Sequence, residues 1–132
     1  MKATVKACPP GKSKSTRRRR LSAPESERAL MIRIRYAVAS MEGVLIWRNN
    51  CGVDTTRGVR YGLAVGSADL IGIVRTASGV GRFLALEVKR PGQRPTAEQR
   101  RWLDAVRRAG GYAALVRSVD EARAAVAAAR GT

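Results

Sequence analysis

Phe83-Leu84-Ala85-Leu86-Glu87-Val88-Lys89-Arg90 is the stretch whose reading decides the fold. Side chains alternate along a strand, so residues two apart share a face. Leu84, Leu86 and Val88 then line one face, while Phe83, Ala85, Glu87 and Lys89 line the other. Apolar residues on both faces predict a strand inside a sheet, covered on both sides. Glu87 and Lys89 point the same way, roughly 7 Å apart by strand rise. A carboxylate and an ammonium buried there are costly unless they pair or something binds them. A second apolar run, Leu70-Ile71-Gly72-Ile73-Val74, is opened by another acid, Asp69. Two acids and a lysine at the ends of neighbouring central strands have the layout of a metal site for phosphodiester cleavage.

Working outward, Ser78-Gly79-Val80-Gly81 joins the two runs and favours a hairpin, which makes the pair antiparallel. Arg90 to Pro95 reads as a loop. Thr96 caps a helix through about Ala109, stopped by Gly110-Gly111. Tyr112 to Val116 is a further strand, and Ser118-Val119-Asp120-Glu121 opens an alanine-rich last helix with a capping-box pattern. Upstream, Ser22 or Ser26 caps a first helix, with Glu25 and Glu27 suited to its positive end. Leu30, Ile34, Ala37 or Val38, and Met41 recur at helical spacing, and Gly43 ends that helix. Val44 to Trp47 is a short strand. Arg48 to Gly52 turns out of it, and a basic, glycine-containing loop leads to Gly66. The predicted order is α-β-β-β-α-β-α, a mixed α/β domain.

The 132 residues suffice for one domain plus a tail, with 26 basic against 10 acidic side chains and a net charge of +16. A chain this basic expects a polyanion, above all nucleic acid, with an anionic membrane the weaker alternative. No stretch approaches the ~20 apolar residues of a spanning helix, so no membrane partner is expected. Without a signal-peptide core at the N-terminus, a cytoplasmic setting is the default. Cys8 and Cys51 have no partners at metal-ligand spacing. The chain has no histidine, which removes serine–histidine triads, histidine-based nucleases and histidine-ligated zinc. Hydrolysis in this chain would have to run on carboxylates, lysine and a hard cation.

Residues 1–22 read as a disordered basic arm, set apart from a folded domain over 23–132. Lys2, Lys6, Lys12, Lys14, Arg17, Arg18, Arg19 and Arg20 give the arm eight positive charges and no acid. The remainder still has 18 basic against 10 acidic residues, so the folded part is basic in its own right. The arm would add phosphate contacts.

Gly66-Ser67-Ala68-Asp69, Glu87-Val88-Lys89-Arg90-Pro91-Gly92, Thr96-Ala97-Glu98-Gln99 and Gly110-Gly111 together resemble the VRR-NUC (virus-type replication-repair nuclease) domain, a branch of the PD-(D/E)XK superfamily. Ser26-Glu27 and Trp47-Arg48-Asn49-Asn50 with Gly52 agree with that resemblance, which covers about residues 25 to 120. It implies the superfamily's restriction-endonuclease-like core and a nuclease working with Mg²⁺ or Mn²⁺. It implies that Asp69 and Glu87 bind metal and that Lys89 orients water or stabilises developing charge. It also matches Glu27 to a helix glutamate of the metal site and Gln99 to a catalytic-helix glutamine. Met31 departs from a frequent family glutamine, and Ala68-Asp69 replaces the eponymous Pro-Asp.

Each assignment has a structural rival. Glu87 and Lys89 can form an ion pair with each other, Asp69 can cap a turn, and Glu25 competes with Glu27. Thr96 and Gln99 are spaced as a capping box, yet Gln99 also falls on the face of Trp102, Leu103 and Val106. Trp47 and Trp102 read as core. Arg48, Asn49, Arg90 and Arg94 are candidate DNA contacts beside the site, with a plain turn the rival reading for Arg48 and Asn49. The expectation is a phage-borne or prophage-borne endonuclease for branched, flapped or Holliday-junction-like DNA, active in the bacterial host. Symmetric cutting would want a homodimer. The rival class is a non-catalytic nucleic-acid-binding module, and a third is a ribosome-associated or RNA-binding basic protein.

Overall fold

A computed structural model of the chain describes residues 22–131. The basic arm up to residue 21, Arg17, Arg18, Arg19 and Arg20 included, lies outside the described residues. The elements run α1 (Glu27–Ala39), β1 (Val44–Arg48), β2 (Gly52–Asp54), β3 (Val59–Tyr61), β4 (Leu70–Arg75), β5 (Gly81–Val88), α2 (Ala97–Arg108), β6 (Tyr112–Val116) and α3 (Val119–Arg130).

Four strands form one sheet in the order β1-β4-β5-β6. β4 pairs antiparallel with both β1 and β5, as the Ser78–Gly81 linker predicts, and β6 runs parallel to β5. β5 is therefore an inner strand. Leu84, Leu86 and Val88 on its first face join Leu70, Val74 and Val116 beneath α1 and α3. Leu30, Met31, Ile34 and Val38 of α1 and Ala122, Ala125, Val126 and Ala129 of α3 close this core. The helical spacing read in the sequence is what turns these residues toward the sheet. Met31, the departure from the family pattern, is a core residue.

The second face is covered by α2 alone. Small residues, Ala68, Ala85 and Ala113, let Leu103 pack down on the sheet, with Trp102 and Val106 at the margin. Trp102 meets Phe83 edge-on, with ring centroids 6.4 Å apart. α2 does not reach β1, so Leu45 stays 66% exposed and Trp47 43%. Trp47 is thus not a core residue, contrary to expectation. It sits on the β1–β4 half of a face whose covering helix lies over the β5–β6 half.

The segment read as turn and loop after β1 instead folds into a two-stranded ribbon, β2 with β3. Asp54 makes its turn: the carboxylate accepts from the backbone N–H of Thr56 (2.9 Å) and of Arg57 (3.3 Å). An aspartate-led turn of this kind closes a hairpin without a strongly alternating pattern. Val59, Arg60 and Tyr61 are all exposed, so no apolar–polar alternation marked the strand.

Candidate active site

The antiparallel register sets Leu70 opposite Leu86, which brings Asp69, just before β4, beside Glu87 near the end of β5. Asp69 is tied to both neighbouring strands. Its Oδ2 accepts from the Val88 N–H (3.0 Å), and its carbonyl accepts from the Asn49 N–H (2.8 Å). The turn before it depends on Gly66, whose φ of +82° favours glycine. A Cβ at Gly66 would stand 2.6 Å from the Glu98 carbonyl, so only glycine lets this turn lie against the first turn of α2.

Glu87 is 1% exposed. Its Oε1 accepts from Gln99 Nε2 in a short hydrogen bond. Lys89 Nζ lies 3.1 Å from the same oxygen. Glu87 Oε2 is buried with no hydrogen-bond partner among the described residues. Burial pushes the Glu87 carboxyl up to about 7, and the charge of Asp69 pushes the same way, against the pull of Lys89. Burial also raises the Asp69 carboxyl, against the Val88 N–H and the Lys89 charge. Two neighbouring acids that resist ionisation are in an environment short of positive charge.

Lys89 continues the parallel ladder past β5, its N–H donating to the Val116 carbonyl (3.1 Å). Its ammonium also approaches Glu27 Oε1 (3.9 Å). Glu27 begins α1 after the Ser26 cap, whose hydroxyl accepts from the Ala29 N–H (3.2 Å). Of the competing helix acids, Glu25 turns away into a two-toothed pair with Arg33, at 2.7 Å for each contact. Among the described residues no three acidic or cysteine side chains gather closely enough to hold a metal between them. Asp69 and Glu87 are adjacent, and Glu27 reaches them through Lys89.

Gln99 both completes the cap of α2 and reaches Glu87. Its Oε1 accepts from the Thr96 N–H (2.8 Å) while Thr96 Oγ1 accepts from the Gln99 N–H (3.2 Å), a complete capping box. The amide nitrogen is left over for Glu87. Asn49 has a supporting position: its Nδ2 donates to Ser67 Oγ (2.8 Å) and the Ala68 carbonyl (2.9 Å), holding the turn that carries Asp69. Arg48 is exposed near Asp69, and its charge lowers that carboxyl. Arg94 is exposed, and Arg90 is half-buried.

Sequence reading missed Gln93. With its amide nitrogen turned toward Glu27, Gln93 donates to Glu27 Oε2 (2.7 Å) and accepts from an Arg90 Nη2 hydrogen (2.9 Å). It also missed Arg117, which donates to the Arg90 carbonyl (2.7 Å). Gln93 lies in a loop and the Arg117 side chain reaches back across the sheet end to Arg90, so local spacing carried no signal for these contacts.

The family model of the VRR-NUC domain matches residues 15–120. A solved structure described as a VRR_NUC domain protein superposes with a TM-score of 0.58 at 14% identity, covering 83% of this chain and 93% of that one. Comparison with curated protein sequences finds no match. At that identity the superposition speaks for the fold, and it agrees with a PD-(D/E)XK-like arrangement of sheet and helices. The family model spans most of the chain: this chain belongs to the VRR-NUC domain family and carries a nuclease-type domain.

Proposed function

We propose that the protein is a Mg²⁺- or Mn²⁺-dependent endonuclease that hydrolyses phosphodiester bonds in DNA, selecting branched, flapped or junction-like structures. The observation that carries this reading is Glu87: buried, unmet at Oε2, and set between Asp69, Lys89 and Gln99. The donor set fits a hard divalent cation, which prefers oxygen ligands and keeps several waters. Two adjacent carboxylates that burial makes hard to ionise, one with an unpartnered oxygen, suit such an ion. Asp69 and Glu87 would hold it, with Glu27 at the edge of the site.

A bound divalent cation there supplies a water of lowered pKa and compensates charge on the phosphate. The chain's own groups do the rest. Gln99 fixes the rotamer of Glu87 by its amide. Lys89, held by its backbone bond to Val116 and flanked by Glu87 and Glu27, presents a compact positive charge where an attacking water or a phosphate oxygen would lie. Arg48, Arg90 and Arg94 would meet neighbouring phosphates, with Arg17 to Arg20 of the arm adding sequence-independent attraction.

The test is cleavage of labelled single strand, duplex, flap and four-way junction with Mg²⁺, Mn²⁺ or EDTA. Cutting should require metal. Asp69→Ala, Glu87→Ala and Lys89→Ala should each lose about 10³-fold or more in rate, with DNA affinity within about threefold because many phosphate contacts sustain it. Wild-type rates in any of these variants would dismiss the site. Tight binding without cutting under any metal would leave a nucleic-acid-binding module instead. A four-way junction cut symmetrically takes two copies, so light scattering with and without junction DNA checks the homodimer.

A further inference from the structure

A cavity opens at the carboxyl ends of the parallel strands β5 and β6. It measures about 530 Å³. Its walls include Pro24, Leu30 and Pro91, and its cationic lining is Arg33, Arg90 and Arg117. Glu25 is the one acid in the lining, already engaged by Arg33. Three guanidinium groups against one carboxylate leave a local excess of two positive charges. A guanidinium presents a planar fork of donors that matches the oxygens of a phosphate. The apolar walls suit a sugar or base beside it.

We propose that this cavity is a nucleotide subsite: its arginines bind a phosphate, and Pro24, Leu30 and Pro91 pack against the attached nucleoside. The loop after β5 links it to the chemistry. Arg90 directly follows Lys89, and Gln93 joins Arg90 to Glu27. A strand whose scissile phosphate lies at Asp69 and Glu87 would lodge a nearby nucleotide in this cavity, which would fix where the cut falls. That consequence rests on the nuclease reading of the neighbouring acids; the binding itself does not. The nucleotide can be the end of a strand, with a phosphate monoester, or an internal unit of the strand.

The test uses the full chain in EDTA. Thymidine 5′-monophosphate is titrated calorimetrically, with thymidine as its phosphate-free control, and a short labelled single strand lacking terminal phosphate is titrated by anisotropy. Arg33→Ala and Arg117→Ala should each weaken binding by about tenfold. Arg108→Ala removes the same charge at the far end of α2 and should weaken it less than about threefold. Arg117 also holds the Arg90 carbonyl, so the exposed Arg33 carries the test independently of that loop. Binding of the monophosphate, lost in these variants, assigns the subsite to a strand end. An effect confined to the oligonucleotide assigns it to an internal nucleotide. Wild-type affinity of both variants for both probes overturns the proposal. Arginine-dependent binding without cleavage under any metal keeps the subsite and sinks the nuclease reading alone; cleavage with unaltered binding in both variants sinks the subsite alone.

Discussion

The two faces of the sheet differ most where they share a strand. On β5, Leu84, Leu86 and Val88 enter a core closed by two helices, while Ala85 and Glu87 face one helix and a site. Both sets are buried, yet burial serves opposite ends. On the first face it removes apolar surface from water, the main favourable term in folding. On the second it strips water from a carboxylate, which costs free energy that the fold must supply. One strand therefore stores stability on one side and spends it on the other, and substitutions separate the two.

The widest break comes from the first face. Leu86 is fully buried within the larger cluster. Leu86→Ala should cost about 2–5 kcal/mol, the transfer and cavity terms together. Urea denaturation at fixed pH reads this as a lower midpoint with an unchanged slope. A loss below about 1 kcal/mol would mean that α1 and α3 collapse onto the gap, and that the first face is less closely packed than its burial indicates.

Glu87→Gln should move stability in the other direction. The folded carboxyl titrates at about 7, above its ordinary 4.5. The native state thus holds its proton where the unfolded chain has released it. The stability that this group contributes is complete below about pH 4.5 and is lost as pH rises through about 7. In metal-free buffer the penalty at pH 8 reaches about 3 kcal/mol. Glutamine keeps the shape and still accepts from Gln99 and Lys89, but it never ionises. Glu87→Gln should therefore match wild type near pH 4.5 and exceed it increasingly toward pH 8, while cleavage is lost. Urea curves in EDTA at the two pH values measure the gap, and a gap independent of pH would show that Glu87 titrates normally. Mg²⁺ should narrow the gap by stabilising only wild type.

The same contrast explains what the sequence made legible. The order of the helices and the four strands of the main sheet, the antiparallel β4–β5 pair and the α1 stripe are written in local periodicity and turns, and the structure has them. Asp69, Glu87 and Lys89 were legible because strand alternation and register are short-range geometry. Glu27 was named through the family resemblance and its place in the first turn of α1, whereas Gln93 and Arg117 enter through loop placement, which pattern does not encode. Asn49 shows the limit well: its type and position suggested a phosphate contact, yet its amide is committed to the turn beneath Asp69. Trp47 was misjudged because coverage of the second face depends on how far α2 reaches across the sheet. The β2–β3 ribbon escaped because its strands are short and exposed.

The finest separation lies within one side chain. Gln99 caps α2 with its amide oxygen and holds Glu87 with its amide nitrogen. Thr96→Ala removes the hydroxyl that accepts from the Gln99 N–H and should cost about 1 kcal/mol, typical of a lost N-cap. It leaves the donor to Glu87 in place, so cleavage should stay within about threefold of wild type once the protein is folded. Gln99→Ala removes its own half of the same box at a similar cost in stability, but it also frees Glu87. Cleavage should then fall by about tenfold or more, the equivalent of one charge-assisted hydrogen bond. Thermal melts and single-turnover rates on the two variants make the comparison. Equal loss of rate in both would show that Gln99 acts only by setting the start of α2. Loss in Gln99→Ala alone would show that one amide both begins the helix and orients the buried acid.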